Sequence, residues 1–396
     1  MGTLHNHRTL FKNVQIYTET NMIVNGYIKT NNTKIIEIGS MNDLKDEDEF
    51  EIVELPSNYT AIPGLIDMHI HGVSGADTMD GTYEALETMV TALPQEGTTS
   101  FLATTMTQAQ TLIEKALLNA GQYINAQPAQ GCAEILGIHL EGPFVNPKMA
   151  GAQPIQHIVD PNLSLFNKWQ DLSRQTIKQV TIAPEQSGGL ELIRHFKKTG
   201  IIASIGHSNA TYDDMDEAIA AGANQLTHLY NQMRPLHHRE PGVVGAAFLR
   251  KELKAEIICD GIHARPEMVK LAYQQKHSDG LILITDAMRA KCLKNGQYDL
   301  GGQTVTVTDG KAVLHDGTIA GSVLKLGQAL KNIIGFTGCS LAEAIEMASV
   351  NPAKQLNLFD RKGSLAVGKD ADIVILDDQL EVFMTFCRGK LGFKKQ

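Results

Sequence analysis

A chain of 396 residues with 43% hydrophobic and 20% charged residues can bury a large core, has room for one large α/β domain with a smaller one, and needs no disulfides to fold. Its 35 Lys and Arg against 44 Asp and Glu leave a formal charge of −9, which disfavours a nucleic-acid partner because phosphate-backbone binding needs a basic face. Cys132, Cys259, Cys292, Cys339 and Cys387 are scattered without a CxxC pair, no apolar run is long enough to span a membrane, and MGTLHNHRTL lacks the apolar stretch of a secretory signal, so the expected location is the cytoplasm.

Residues 9–60 alternate apolar and polar positions between turn residues, which predicts half-exposed antiparallel strands. From Ala61 to Asp286 eight β-rich runs follow, over 61–70, 99–105, 133–142, 179–185, 201–207, 225–230, 255–260 and 281–286. Helix-like stretches separate them, such as 107–121 and 211–222, the latter with Thr211 as N-cap and Gly222 as stop. Eight such alternations favour a (β/α)8 TIM-like barrel over an open doubly wound sheet. Residues 363–386 return to the alternating pattern, so the two ends are expected to share a small β-sandwich domain, 1–60 plus 358–396, with the barrel of 61–357 inserted in it.

The chemistry gathers at the ends of the predicted strands. In IPGLIDMHIHG, His69 and His71 are two positions apart and so point to the same side of a strand, which is chelating geometry. Glu141 in HLEGP, His207 in IGHS, His228 in THLYN and Asp286 in LITDA also fall at strand ends, on the rim where barrel active sites are built. Buried imidazoles and carboxylates are costly unless paired or metal-bound, and this donor set suits Zn, Fe, Mn or Co without ranking them. A divalent ion lowers the pKa of a bound water to about 7. His139 shares a strand face with Glu141 and is expected to pack rather than ligate. His5, His7, His157, His195, His277 and His315 lie outside the rim pattern; His237 and His238, beside Arg239 in a polar loop, and Arg234 are open to two readings, an approach to phosphate or, the better one, solvated loop residues. Neither a GxxxxGK[ST] phosphate loop nor a dinucleotide fingerprint is present, which leaves kinase and redox chemistry unsupported.

PGLIDMHIHG, HLEGPF, GHSNA, THLYNQM, CDGIH and LITDA, in this order, resemble the amidohydrolase superfamily and, within it, the N-acetylglucosamine-6-phosphate deacetylases. The likeness runs almost end to end, through the closing GSLAVGKDADIVI, and HLEGPF followed by HLYNxM and REPG is its most specific part. The resemblance implies Glu141, His207 and His228 as principal metal ligands, His69 and His71 as a second metal site, and Asp286 as the catalytic acid and base. It implies one or two divalent ions per subunit. Arg239 and His263 match sugar-phosphate binders that can reach the site from the neighbouring subunit of a homodimer; Asn231 and Gln232, by their backbone, and Ala152, Gln153, Ala320 and Gly321 match further substrate contacts. Some relatives carry a histidine at Gln153. A glutamine donates a hydrogen bond but cannot carry a proton, so carbonyl polarisation would fall more heavily on the metal.

The implied reaction is hydrolysis of N-acetyl-D-glucosamine 6-phosphate to D-glucosamine 6-phosphate and acetate by an activated water, with Asp286 taking the water's proton and returning it to the departing amine. The ligand set alone leaves two other readings open. One is a cyclic amidase or nucleobase deaminase of the same superfamily, and the other is a metal-free barrel acting as a binding module.

Overall fold

Short runs of Ile, Leu, Val and Thr, buried on both faces, pair into one parallel eight-stranded sheet, as strands sandwiched between packed layers do. The strands are Leu65–Ile70, Thr98–Thr105, Glu134–Glu141, Ile177–Ile182, Ile202–Ile205, Gln225–Leu226, Lys254–Ile258 and Leu281–Ile284. Each neighbours the next in chain order, and a parallel bridge between Ile70 and Ala287 brings the last beside the first, nearly closing the expected barrel. This computed structural model describes residues 7–128 and 130–396; His5 and the first residues of MGTLHNHRTL lie outside the described residues. No helix of the described residues is long and apolar enough to cross a membrane.

Helices clothe the barrel through apolar stripes. Gln110–Ala126 buries Ile113, Leu117 and Ala120, three to four residues apart on one face. Tyr212–Ala221 starts at a capping box between Thr211 and Asp214 and ends at Gly222, as its sequence indicates.

Several expected strands are shorter than their apolar runs, 179–185 and 255–260 ending at Ile182 and Ile258. The runs 201–207, 225–230 and 281–286 stop pairing at Ile205, Leu226 and Ile284, because His207, His228, Tyr230 and Asp286 take positive φ values that no strand accommodates. The run 61–70 divides at Gly64: Thr60–Pro63 pairs with the terminal strands and Leu65–Ile70 enters the barrel. A Cβ at Gly64 would lie 2.0 Å from Thr99 Oγ1, so this crossing between sheets requires glycine.

The terminal segments do share a second sheet. It joins Arg8–Tyr17, Met22–Asn31, Lys34–Ser40 and Thr60–Pro63 to Ile373–Leu376, Val382–Cys387 and Lys390–Lys394. The pairing is not wholly antiparallel. Glu51–Glu54 and Thr60–Pro63 run parallel to Arg8–Tyr17, since the connection after Ser40 carries the chain back to the starting edge. Phe11 meets Phe386 edge-on at 4.7 Å in the core of this sheet, so the two ends of the chain hold each other.

A third sheet was not foreseen. Gly296–Leu300, Gln303–Thr308 and Lys311–Val313 form an antiparallel meander after the eighth barrel strand, turning at Gly301–Gly302 and at Asp309–Gly310. Leu300, Val305, Val307 and Ala312 pack on Met106 and Met288 above the barrel. Its alternating TVTVT and paired turn residues were a readable hairpin signal.

Candidate metal centre and substrate pocket

The rim residues are presented by a repeated local device. His207, His228 and Asp286 each lie two positions beyond a strand end, with φ of 46°, 33° and 48°. A non-glycine residue held there costs about 1–3 kcal/mol, and such strain collects at functional sites. Fixed hydrogen bonds hold the turns: Asp286 N donates to the His69 carbonyl at 2.8 Å, and Asn146 N donates to that of His207 at 2.9 Å.

Two buried triads result, His69 with His71 and Asp286, and Glu141 with His207 and His228; in each, one atom from every residue lies within 4.8 Å of the others. Glu141 joins them. Its Oε1 lies 3.4 Å from His69 Nε2, 3.3 Å from His207 Nε2 and 3.2 Å from His228 Nε2, and its Oε2 lies 3.2 Å from His71 Nε2. Asp286 Oδ1 is 3.3 Å from His71 Nε2 and 3.4 Å from His69 Nε2. The carboxylate expected to act on protons thus also stands among the ligating groups of the first triad.

These donors fit a divalent cation. His207 Nε2 and His228 Nε2 are 3.1 Å apart, a separation at which two lone pairs repel unless something positive is shared between them. His69 Nε2 is buried within ion-pair range of two carboxylates, yet in hydrogen-bond geometry with neither. His207 Nδ1 is 2.8 Å from the Met149 carbonyl, which requires the proton on Nδ1 and leaves the Nε2 lone pair facing Glu141. Nitrogen and oxygen donors without thiolate match Zn, Fe, Mn or Co.

The electrostatics of the cluster are those of interleaved opposite charges. Burial would raise Glu141, but the imidazoles of His69, His207 and His228 packed around it outweigh that and hold the carboxyl well below the usual range. Burial likewise opposes a charge on His71, yet Asp286 and Glu141 raise it to about 9. His139 goes the other way: burial and the neighbouring His69 push it well below the ordinary imidazole value. It packs edge-on against the His69 ring at 4.5 Å and bonds Thr181 Oγ1 at 2.7 Å, behind the donors rather than among them.

Above the triads opens a cavity of about 270 Å³, lined by His71, Glu141, His207, His228 and Asp286 below and by Ala152, Gln153, Asn231, Gln232, His263 and Gly321 around its wall. Met106, Leu300, Thr318 and Ile319 complete it. A roomier cavity of about 550 Å³ beside Tyr17–Met22 shares no lining residue with it.

Several expected contacts stand differently. Arg239 is exposed, outside the cavity, with its guanidinium 2.7 Å from His238 Nε2. His263, matched to a binder from across an interface, lines the cavity of its own chain, with Nδ1 2.6 Å from Asp260 Oδ2. Ala320 is buried in the small core under the meander and donates its N–H to the Ala312 carbonyl at 3.1 Å, so Ile319 and Gly321 face the cavity instead. Asn231 donates its N–H to the His228 carbonyl at 3.0 Å. Gln153 turns its amide nitrogen to Glu141 Oε2 at 2.8 Å. Arg234 bonds the Asn209 carbonyl, and His7, His157, His195, His237, His238, His277 and His315 do not line the cavity.

One residue was missed outright. Glu256 is fully buried on the strand Lys254–Ile258 with its Oε2 3.0 Å from His69 Nδ1. A lone carboxylate inside the apolar run AEIIC was the available signal, since such a group is rarely buried without a partner.

A parallel barrel that gathers two imidazole–carboxylate triads at its C-terminal rim defines a hydrolase class whose site is placed to hold divalent metal. The sequence profile of the amidohydrolase family matches residues 60–392. The N-acetylglucosamine-6-phosphate deacetylase of Bacillus subtilis is 49% identical over 385 residues, 97% of each chain. Among solved structures, the N-acetylglucosamine-6-phosphate deacetylase of Thermotoga maritima superposes with a TM-score of 0.87 at 36% identity, over 98% of this chain and 100% of the other. That of Mycobacterium smegmatis, in complex with N-acetyl-D-glucosamine-6-phosphate, gives 0.90 at 29% identity over 98% and 100%. The chain belongs to the amidohydrolase family, and within it to the N-acetylglucosamine-6-phosphate deacetylases.

Proposed function

We propose that this chain hydrolyses the acetamide of N-acetyl-D-glucosamine 6-phosphate to D-glucosamine 6-phosphate and acetate, in amino-sugar catabolism or recycling. The observation that carries the reading is the pair of triads joined through Glu141 at the floor of a cavity whose wall also bears His263, Asn231 and Gln232. Similarity to the Bacillus subtilis and Mycobacterium smegmatis enzymes supports the same substrate. Glu141, His207 and His228 would hold one divalent ion and His69, His71 and Asp286 a second, with Zn, Fe, Mn and Co all suited to the donors. Bound there, the metal supplies Lewis-acid polarisation and a lowered pKa for water.

The chain's own residues account for proton movement. Asp286 accepts a proton from the attacking water and gives it to the amine nitrogen as the C–N bond breaks, because an amide nitrogen leaves readily only when protonated. One water is consumed, its oxygen ending in acetate. Gln153 acts through Glu141, steadying the carboxylate that both triads share.

The phosphate is assigned to the other side of the cavity, to His263 and the Gln232 backbone, the Asn231 N–H being taken by the His228 carbonyl. Arg239 lies outside its own cavity, so its contact is assigned to the neighbouring subunit of a homodimer. A cytoplasmic location accords with five free thiols and a phosphorylated substrate. Two domains, the barrel of 61–357 and the small β domain of 1–60 with 358–396, belong to the same reading, with the first boundary moved to Gly64 because Thr60–Pro63 pairs with the terminal strands.

Acetate release from N-acetylglucosamine 6-phosphate by metal-replete protein is the deciding assay. Stoichiometric acetate and free amine are expected. No acetate, with ammonia or a ring-opened acid formed instead from nucleobases or cyclic amides, would move the chain to another branch of its superfamily.

A further inference from the structure

One carboxylate lies beneath the pocket floor and touches both triads. Glu256 Oε2 lies 3.0 Å from His69 Nδ1 and accepts from the His228 backbone N–H at 3.3 Å, while Oε1 accepts from Gln179 Nε2 at 2.6 Å and Gln225 Nε2 at 2.8 Å. Gln225 also donates to Gln179 Oε1 at 2.9 Å, so the two amides brace each other as well as the carboxylate. Four donors saturate the group, as a fully buried carboxylate requires.

An acceptor fixed at this point decides which nitrogen of His69 carries its proton. With Nδ1–H directed at Glu256, the lone pair belongs to Nε2, which faces Glu141 Oε1 and Asp286 Oδ1 at 3.4 Å each and has no hydrogen-bond partner. Metal-ligating histidines commonly donate their other N–H to a carboxylate, and losing that partner costs about 10–100-fold in metal affinity.

We infer that Glu256 is the positioning residue for the second metal ion: it holds His69 in the Nδ1–H tautomer, which turns the His69, His71 and Asp286 triad into a cation site. The inference rests on the two-ion reading above. Glutamine at this position keeps the volume but replaces one acceptor oxygen by an NH2 donor. Its NH2 must face one pair of donors, His69 and His228 or Gln179 and Gln225, so the acceptor that fixes the His69 tautomer is no longer guaranteed.

Apo protein prepared by chelation and titrated with Co2+ alone, followed by calorimetry and visible absorption, tests this. The parent should take two equivalents. Glu256→Gln should keep one at near-parental affinity and bind the other at least tenfold more weakly, with the apo thermal midpoint little changed. Adding Glu256→Gln to a His69→Asn background should change metal binding no further, because the ligand it orients is already gone. Two equivalents in Glu256→Gln, each within threefold of the parent, would overturn the role of Glu256 and leave the two-ion reading intact. A single equivalent in the parent would overturn the two-ion reading, and the role of Glu256 with it. Equal weakening of both sites would show a structural residue and also overturn the inference. If the variant does not fold, long-range ¹⁵N–¹H spectra of the histidine-labelled, Zn2+-loaded parent decide: Nδ1–H is expected at His69, and Nε2–H would refute the assignment.

Discussion

Gln153 and Glu141 form one unit: the amide nitrogen of Gln153 donates to Glu141 Oε2 at 2.8 Å, while its amide oxygen accepts the Thr107 N–H at 2.8 Å. The Thr107 contact fixes which end of the amide faces the carboxylate. Gln153→Leu removes a hydrogen bond to a charged acceptor, worth about 1.5–3 kcal/mol. Metal affinity, measured against a competing chelator, should fall roughly tenfold or more. Unchanged affinity with a loss confined to kcat would instead place Gln153 on the substrate.

Asp286 is both beside the imidazoles and at the cavity surface, so it can exchange protons with a bound substrate. Asp286→Asn keeps the shape and cannot accept a proton; kcat should fall by about 10²–10⁴ or more, with substrate affinity near normal. Because Asp286 belongs to the first triad, metal content should be measured on the same samples. A kcat within threefold of the parent contradicts the role, and loss of activity matched by loss of one ion recasts the residue as a ligand.

Arg239 is the candidate for selecting the phosphorylated sugar. A guanidinium–phosphate bond is worth about 1.5–3 kcal/mol, so Arg239→Ala should lower kcat/KM for the phosphorylated substrate roughly ten- to a hundredfold and barely alter weak turnover of N-acetylglucosamine itself. On the proposed dimer, with Arg239 reaching the neighbouring site, mixing Arg239→Ala with Asp286→Asn chains should restore some activity, because one site of each hybrid would have both residues intact. Equal losses on both sugars, or no complementation, count against the assignment.

The barrel and the terminal sheet are joined by a partly buried ion network with a definite acid response. Glu134, on the third barrel strand, bonds Arg361 at 2.9 and 3.0 Å and lies 2.8 Å from Lys362, which also holds Asp372. Burial would raise its pKa, but Lys362 and Arg361 lower it to about 2. A carboxylate depressed in the folded state binds fewer protons there than in the unfolded chain. Its stabilisation, on the order of 3 kcal/mol at most, is therefore present above about pH 4.5 and lost as the pH falls towards 2. Glu134→Gln should lose roughly 2–3 kcal/mol at neutral pH and show a flatter decline of the thermal midpoint between pH 5 and 3. Parallel curves for the two proteins would assign the acid response to other groups.

The sequence alone determined the alternation that makes a barrel, the ends that share a sheet, and the six side chains at its rim, because strand periodicity and the expense of buried polar groups are local signals. HxH two apart on a strand, Glu141 ending HLEG and Asp286 ending LITD needed no partner to be recognised. Where strands would stop was less legible, since the apolar runs continue through His207, His228 and Asp286, whose left-handed turns are imposed by contacts with other strands. Only the tertiary structure decided the rest. It placed His263 in its own cavity and Arg239 outside it, bound Gln153 to Glu141 across 12 positions, and set Glu256 against His69 across 187. Such pairings follow from barrel register and closure, which bring together residues that no periodicity along the chain relates.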